Sequence, residues 1–268
     1  MSDSHYASTP PQCVWLLLDV PSMPDLGKRF QKRFGDGGTQ IELLADGELD
    51  LVREHGPLLV YMTPGSSLSH AFPQEARDWP GLFIVCQAPK EILLAHLRRM
   101  LTVRFSDHYK GLLTYYNVQT ASYFFDAMDP MTLSRWLGPI DSLMWFGGTW
   151  ADKVDDIQGR QFVLNPRLDV TPLVDEPRLG AQQEKQLQQC LLERHAYYWS
   201  QSMHTDYRKA LHYLHEGLRH GFNDSTILDE WLALRARFPA APLPKELPGE
   251  DQRTRIQNLT QIWRGRGS

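Results

Sequence analysis

The chain has 268 residues, 42% of them apolar and 22% charged, with a net charge of −4. That length can bury a sizeable core, in one large domain or two small ones. Up to Trp150 there are 12 basic against 16 acidic residues, and after it 16 against 16. Neither half is a basic module, so no nucleic-acid partner is expected.

Cys13, Cys86 and Cys190 are far apart, odd in number and without a C-x-x-C pair. Free thiols acting as small hydrophobes in a reducing compartment fit that usage. Residues 1–12 (MSDSHYASTPPQ) have neither a basic start nor a long apolar run. A disordered N-terminus rather than a secretory leader is expected there. The longest apolar run, Cys13 to Leu18, is too short to span a bilayer. The expectation is a cytoplasmic protein without membrane insertion.

In chain order, CVWLLLDV, LLVYM (Leu58 to Met62) and LFIVC (Leu82 to Cys86) read as strands. Their apolarity is continuous rather than alternating, which predicts a sheet covered on both faces. Helices are predicted at Asp25 to Phe34 and from Asp46, a good N-cap, to Gly56. Pro89 to Leu101 (PKEILLAHLRRML) reads as a helix with Leu93, Leu97, Met100 and Leu101 inward and His96 and Arg98 at the stripe's edges. Thr102 to Tyr116 reads as a hairpin turning at Ser106 and Asp107, which adds antiparallel strands to give a mixed sheet. Asp129, Pro130 and Gly138 are the cap, first-turn proline and C-terminal glycine of a short helix, and DSLMWF follows as a strand.

From Gly180 the spacing becomes helical. Leu187, Leu191, Arg194 and Tyr198 share one face, and Tyr207, Ala210, Leu211, Leu214 and Leu218 form a stripe stopped by Gly221. A third helix follows Asp224 or Ser225, with Ile227, Leu228, Trp231, Leu232 and Phe238 inward. After the proline-rich PAAPLPKELPGE comes a last helix carrying Ile256, Leu259 and Trp263 on one side. Pro166, Pro172 and Pro177 break the pattern between the halves. The predicted organisation is an α/β lobe over 13–165, a mixed sheet flanked by helices, then a connecting segment, 166–179, and an all-α lobe, 180–268.

Candidate chemistry is sparse. In YMTPGSSLSH, Ser66 and His70 follow a strand, but Ser69 stands where the last glycine of G-x-S-x-G would be. Turn chemistry explains the segment, with an enzyme of hydrolase or transferase type as the alternative. Phe34 to Gln40 (FGDGGTQ) follows a helix and precedes a strand, the reverse of a phosphate cradle. His212, His215, Glu216 and His220 lie close on a helix, on the outer flank of its stripe, where a solvated face is the plainer reading than a metal site. Arg98, Arg99, Arg104 and Lys110 make a local basic patch, with Arg264 and Arg266 near the C-terminus, and charge pairing explains the patch. No catalytic residue, metal ligand or cofactor is expected.

One resemblance goes further. HLRRML (His96 to Leu101), GLLTYYN (Gly111 to Asn117), MDPMTLSRWLGPIDSLMW (Met128 to Trp145) and the earlier GPLLVYM (Gly56 to Met62) occur in order. In this the chain resembles the effector adaptor (chaperone) family of the bacterial type VI secretion system (domain of unknown function 4123). Genes of that family are frequently found between a VgrG spike gene and a toxin gene. The likeness is detailed in the first half and general in the second. It marks His96, Leu97, Arg98, Arg99, Tyr115, Tyr116, Asn117, Gly138 and Pro139 as family-motif positions, structural or partner-binding.

The family's R-x-Y-D-P-R reads Thr114, Tyr115, Tyr116, Asn117, Val118, Gln119 here. Both arginines are therefore absent, while Asn117 can still cap the next helix as aspartate would. The resemblance implies a non-catalytic bacterial protein that binds a cognate secreted effector and loads it onto the VgrG spike. Candidate anchors for such partners are Tyr197, Tyr198, Trp199, Tyr207, Tyr213, Trp231 and Trp263, of which some must instead be core.

Overall fold

The computed structural model describes residues 14–23, 25–35, 38–105, 109–126, 128–244 and 247–265. The expected N-terminal disorder, the thiol of Cys13, the turn residues Ser106 and Asp107, and Arg266 lie outside them. The chain divides into two compact units, Met1–Cys190 and Leu191–Ser268.

The first unit is built on a six-stranded sheet. Its strands are β1 (Val14–Leu18), β2 (Gln40–Glu42), β3 (Leu58–Tyr61), β4 (Gly81–Val85), β7 (Ser142–Phe146) and β8 (Arg160–Leu164). They run in the spatial order β2-β3-β1-β4-β7-β8. Between them come α1 (Leu26–Phe34), α2 (Ser67–Glu75), α3 (Lys90–Leu101), α4 (Val118–Phe124), α5 (Pro130–Leu137) and α6 (Trp150–Val154).

Continuous apolarity in β1 does mean two covered faces. Leu16 and Leu18 pack with Phe30 and Phe34 of α1 and Leu68 of α2. Trp15 and Leu17 pack on the other side with Leu93 and Leu97 of α3 and Trp136 of α5. Each such fully buried side chain contributes about 1.5–3 kcal/mol.

Two expectations about the sheet are corrected. Every pairing in the six-stranded sheet is antiparallel. The hairpin strands β5 (Thr102–Arg104) and β6 (Lys110–Leu112) form a separate sheet instead of joining it. β5 begins directly where α3 ends, so its course is set by the helix and carries it away from the main ladder. The helix expected over 46–56 is a 3₁₀ segment, Asp50–His55, and Asp46 takes a positive φ of 60° rather than a capping conformation.

The proline-bearing segment 166–179 is not a free connector. Leu173 and Leu179 are buried in the first unit's core, and Leu187 of α7 (Ala181–Met203) joins them. The division between units therefore falls within α7 rather than in 166–179.

The second unit holds α8 (Tyr207–Arg219), α9 (Ser225–Arg237) and α10 (Gln252–Gly265). Asp206 and Asp224 cap α8 and α9 with their carboxylates. α9 buries Ile227, Leu228, Trp231 and Leu232 as read, and α10 buries Ile256, Leu259 and Trp263. α8 is rotated from its expected stripe: Tyr213 and Gly217 are buried, while Leu218 is exposed. The reason is Gly217, where a Cβ would come within 2.8 Å of the Trp231 ring, so α8 meets α9 through its missing side chain. α7 likewise buries Leu187, Cys190, Ala196 and Ser200, leaving Leu191 and Tyr198 exposed.

Candidate functional site

α3 carries four of the motif positions and uses each differently. His96, expected at the edge of the stripe, is buried at 4% exposure, and its Nε2 lies 2.8 Å from the Trp136 carbonyl oxygen. Burial, and secondarily the Arg99 charge, hold its imidazole below the ordinary pKa. Leu97 is core, and its carbonyl accepts a hydrogen bond from the Tyr115 hydroxyl at 2.9 Å. Arg98 donates through Nε to the Leu43 carbonyl at 3.0 Å, tying α3 to the segment after β2. Arg99 donates to Asp175 at 2.8 Å.

Gly138 ends α5 at φ 51°, where an added Cβ would come within 2.5 Å of His96 Cε1. The Pro139 carbonyl accepts from Cys86 Sγ at 3.3 Å. Tyr115 and Tyr116 are core, in edge-on contact with each other. Asn117 caps α4 by accepting from the Thr120 amide at 3.1 Å, and its Nδ2 donates to Asp19 Oδ2 at 2.8 Å.

Asp19, directly after β1, is a buried acid, 2% exposed. Burial pushes its carboxyl up to about 6, against the opposing hydrogen bonds of Asn117 and Ser22 and the charge of Lys153. Tyr116 is pushed up to about 12 by burial and by Asp19. The lone apolar-run terminus LLLD was the available signal, since a carboxylate closing a buried strand requires a donor nearby.

Above these braces α3 borders two clefts that share Ala95 and Arg99. One, of about 350 Å³, has Leu43, Leu49 and Leu101 in its wall and Glu48, Asp175 and Glu176 with Arg98 around it. The other, of about 590 Å³, has Ile92, Leu168 and Leu173 with Arg99, Arg135 and Arg167. Apolar walls bordered by charges of opposite character in adjoining clefts suit protein side chains. The basic patch is neutralised within this region: Arg104 pairs with Glu176, and Lys110 with Glu48 at 2.6 Å and Glu176 at 3.0 Å. Those partners raise the Lys110 pKa and lower that of Glu176.

Ser66 caps α2 through its hydroxyl, and His70 Nδ1 lies 2.9 Å from the Ser66 carbonyl oxygen rather than the hydroxyl. His212 and His215 are exposed, while Glu216 is engaged by Arg235. Among the described residues no group of three or more His, Cys, Asp or Glu is placed to hold a metal ion, and no helix is long and apolar enough to cross a membrane.

Four of the proposed aromatic anchors are corrected to core: Tyr207, Tyr213, Trp231 and Trp263 are each at most 6% exposed. Their heteroatoms look inward, with Trp231 Nε1 on the Tyr213 carbonyl and the Tyr207 hydroxyl on Glu193. Tyr198 is exposed and Tyr197 and Trp199 are half-buried, so these three stay accessible on α7.

Residues 14–135 match the family described as Domain of unknown function (DUF4123), from β1 into α5. No curated protein and no solved structure matches the chain.

Proposed function

We propose that this chain is a bacterial cytoplasmic adaptor that holds a secreted type VI effector and loads it onto the VgrG spike, working through protein surfaces rather than catalysis. The observation that carries the reading is how the family-motif side chains are used. His96, Tyr115 and Asn117 hydrogen-bond to Trp136, Leu97 and Asp19, bracing the scaffold beneath two open clefts that meet at Arg99. A carrier requires such a rigid frame with accessible recognition surfaces. The exposed Tyr198 beside half-buried Tyr197 and Trp199 offers a further surface on α7.

The test is to look for effector and spike genes beside this one and to co-express the chain with their products. The reading expects the effector to co-purify with the chain, and secretion of the effector to stop without it. An effector that stays soluble and is secreted in a deletion strain, with neither partner bound, sinks the proposal.

A further inference from the structure

Strand β8 closes the six-stranded sheet on one side. The ladder with β7 is phased by the Asn165 amide on the Asp141 carbonyl and the Gly147 amide on the Gly159 carbonyl, both at 2.9 Å. With Leu143 opposite Val163 and Trp145 opposite Gln161, that phase turns the backbone groups of Gln161 and Val163 toward β7. The N–H and C=O groups of Arg160, Phe162 and Leu164 consequently face outward. Among the described residues no backbone group pairs with them.

The same three side chains share one face, where Phe162 is 56% and Leu164 63% exposed. On that face α1 and α2 cover β1, β3 and β4 but leave Met144 and Phe146 of β7 partly open. The opposite edge, β2, is three residues long and bears Gln40 and Glu42, a polar edge of the kind that resists pairing. β8 has Arg160 at its start and Pro166 just past its end, with nothing between to deter a partner strand.

Two charged side chains lie over this face. The Arg77 guanidinium sits 5.6 Å above the Phe146 ring, and Arg160 is directly opposite Phe146 in the register. Both are positive, and no ion pair joins either to a carboxylate among the described residues.

We propose that β8 is a docking edge for an extended segment of a partner protein that carries alternate apolar residues and a carboxylate, and that adds as a seventh strand. The outward amides and carbonyls supply affinity, Phe162 and Leu164 give the apolar strip, and the two arginines demand an acid. The sheet alone carries this inference; within the adaptor reading the segment belongs to the effector or the spike.

The test uses the full chain and a fluorescein-labelled peptide, Glu-Thr-Leu-Thr-Val-Thr-Leu-Thr-Glu, read by anisotropy. Saturable binding is expected. N-methylating either the odd- or the even-numbered amides, whichever set faces β8, weakens it at least about tenfold. In the protein, Phe162→Pro removes the central outward donor without touching the β7 ladder, and weakens binding about tenfold beyond the control Phe162→Thr. Arg77→Glu with Arg160→Glu weakens it similarly, and lysine in place of both peptide glutamates restores it.

Absence of saturable binding to the folded chain overturns the proposal, as does equal binding by the Phe162→Pro and Phe162→Thr proteins. Sedimentation that shows a dimer broken by Phe162→Pro assigns the edge to a second copy and also overturns it. Effector capture unchanged in Phe162→Pro removes β8 and leaves the adaptor reading standing. Peptide binding without any effector capture keeps the edge and removes the adaptor.

Discussion

The side-chain amide of Asn117 is divided between two tasks: its Oδ1 caps α4, and its Nδ2 lies 2.8 Å from the buried carboxylate of Asp19. An aspartate could perform the first task but not the second, because it has no hydrogen to donate. Asparagine at this position thus matches the buried acid it faces. Asn117→Asp would set two carboxylates in contact in a dry site. The expected loss at pH 7 is about 1–3 kcal/mol, measured by urea unfolding, and smaller at pH 4, where a shared proton relieves the repulsion. An unchanged midpoint at pH 7 would contradict the pairing.

Asp19 itself sets a second pH dependence. Its folded carboxyl is raised to about 6, above the ordinary value near 3.8 that the unfolded chain keeps. Between those values the folded state binds more protons, so this group's contribution to stability is greatest below about pH 4 and falls as pH rises toward 6. The loss amounts to about 3 kcal/mol. Asp19→Asn keeps an acceptor for Asn117 and cannot ionise. The difference in unfolding free energy between variant and wild type should therefore shift in the variant's favour from pH 4 to pH 7. A flat difference across that range would show that the carboxyl is not held neutral.

Gly138 and His96 form the other tight contact, between the end of α5 and the middle of α3. Gly138→Ala imposes both a left-handed φ of 51° and a clash with the imidazole, a cost of about 2–4 kcal/mol. In a His96→Ala background the clash is gone, and only the backbone part persists. The cost of Gly138→Ala should then drop by at least ~1 kcal/mol, read from a double-mutant cycle of thermal or urea unfolding. Additive costs would mean that the two side chains do not meet.

Where the sequence was legible, one physical signal dominated. The apolar runs of β1, β3 and β4 bury both faces of their strands, and the stripes of α3, α9 and α10 bury one face of each helix, so the apolar pattern located them. The strand β8 escaped because its outer residues, Phe162 and Leu164, are exposed, and an edge strand has no buried face on its open side to advertise. α2 escaped because Pro73 lies inside it, which reads as a break. In α7 the true inward face mixes Gln183, Glu193 and Ser200 with Leu187 and Cys190, so the apolar residues Leu191 and Tyr198 pointed to the wrong side. At the motif positions the residue types were visible but their partners were not. Asp19 and Asn117 are 98 residues apart in sequence, a pairing that only folding reveals.

In the second unit Arg235 occupies the centre of three aromatic rings and a carboxylate. Its Nε and Nη2 donate to the two oxygens of Glu216 at 2.8 and 2.9 Å, and its guanidinium carbon lies 5.2 Å from the Trp263 ring centre. Nη1 also donates to the Ala241 carbonyl at 2.7 Å, which holds the proline-rich chain after α9. Both side chains of the pair are 12% exposed, so removing one partner strands a nearly dry charge. Arg235→Met is expected to cost about 3–5 kcal/mol in urea unfolding. Adding Glu216→Gln removes the stranded carboxylate, so the double variant should be more stable than the single Arg235→Met protein. A double variant weaker than Arg235→Met would mean that Glu216 is stabilised by groups other than this arginine, and that the guanidinium acts chiefly through the rings it packs against.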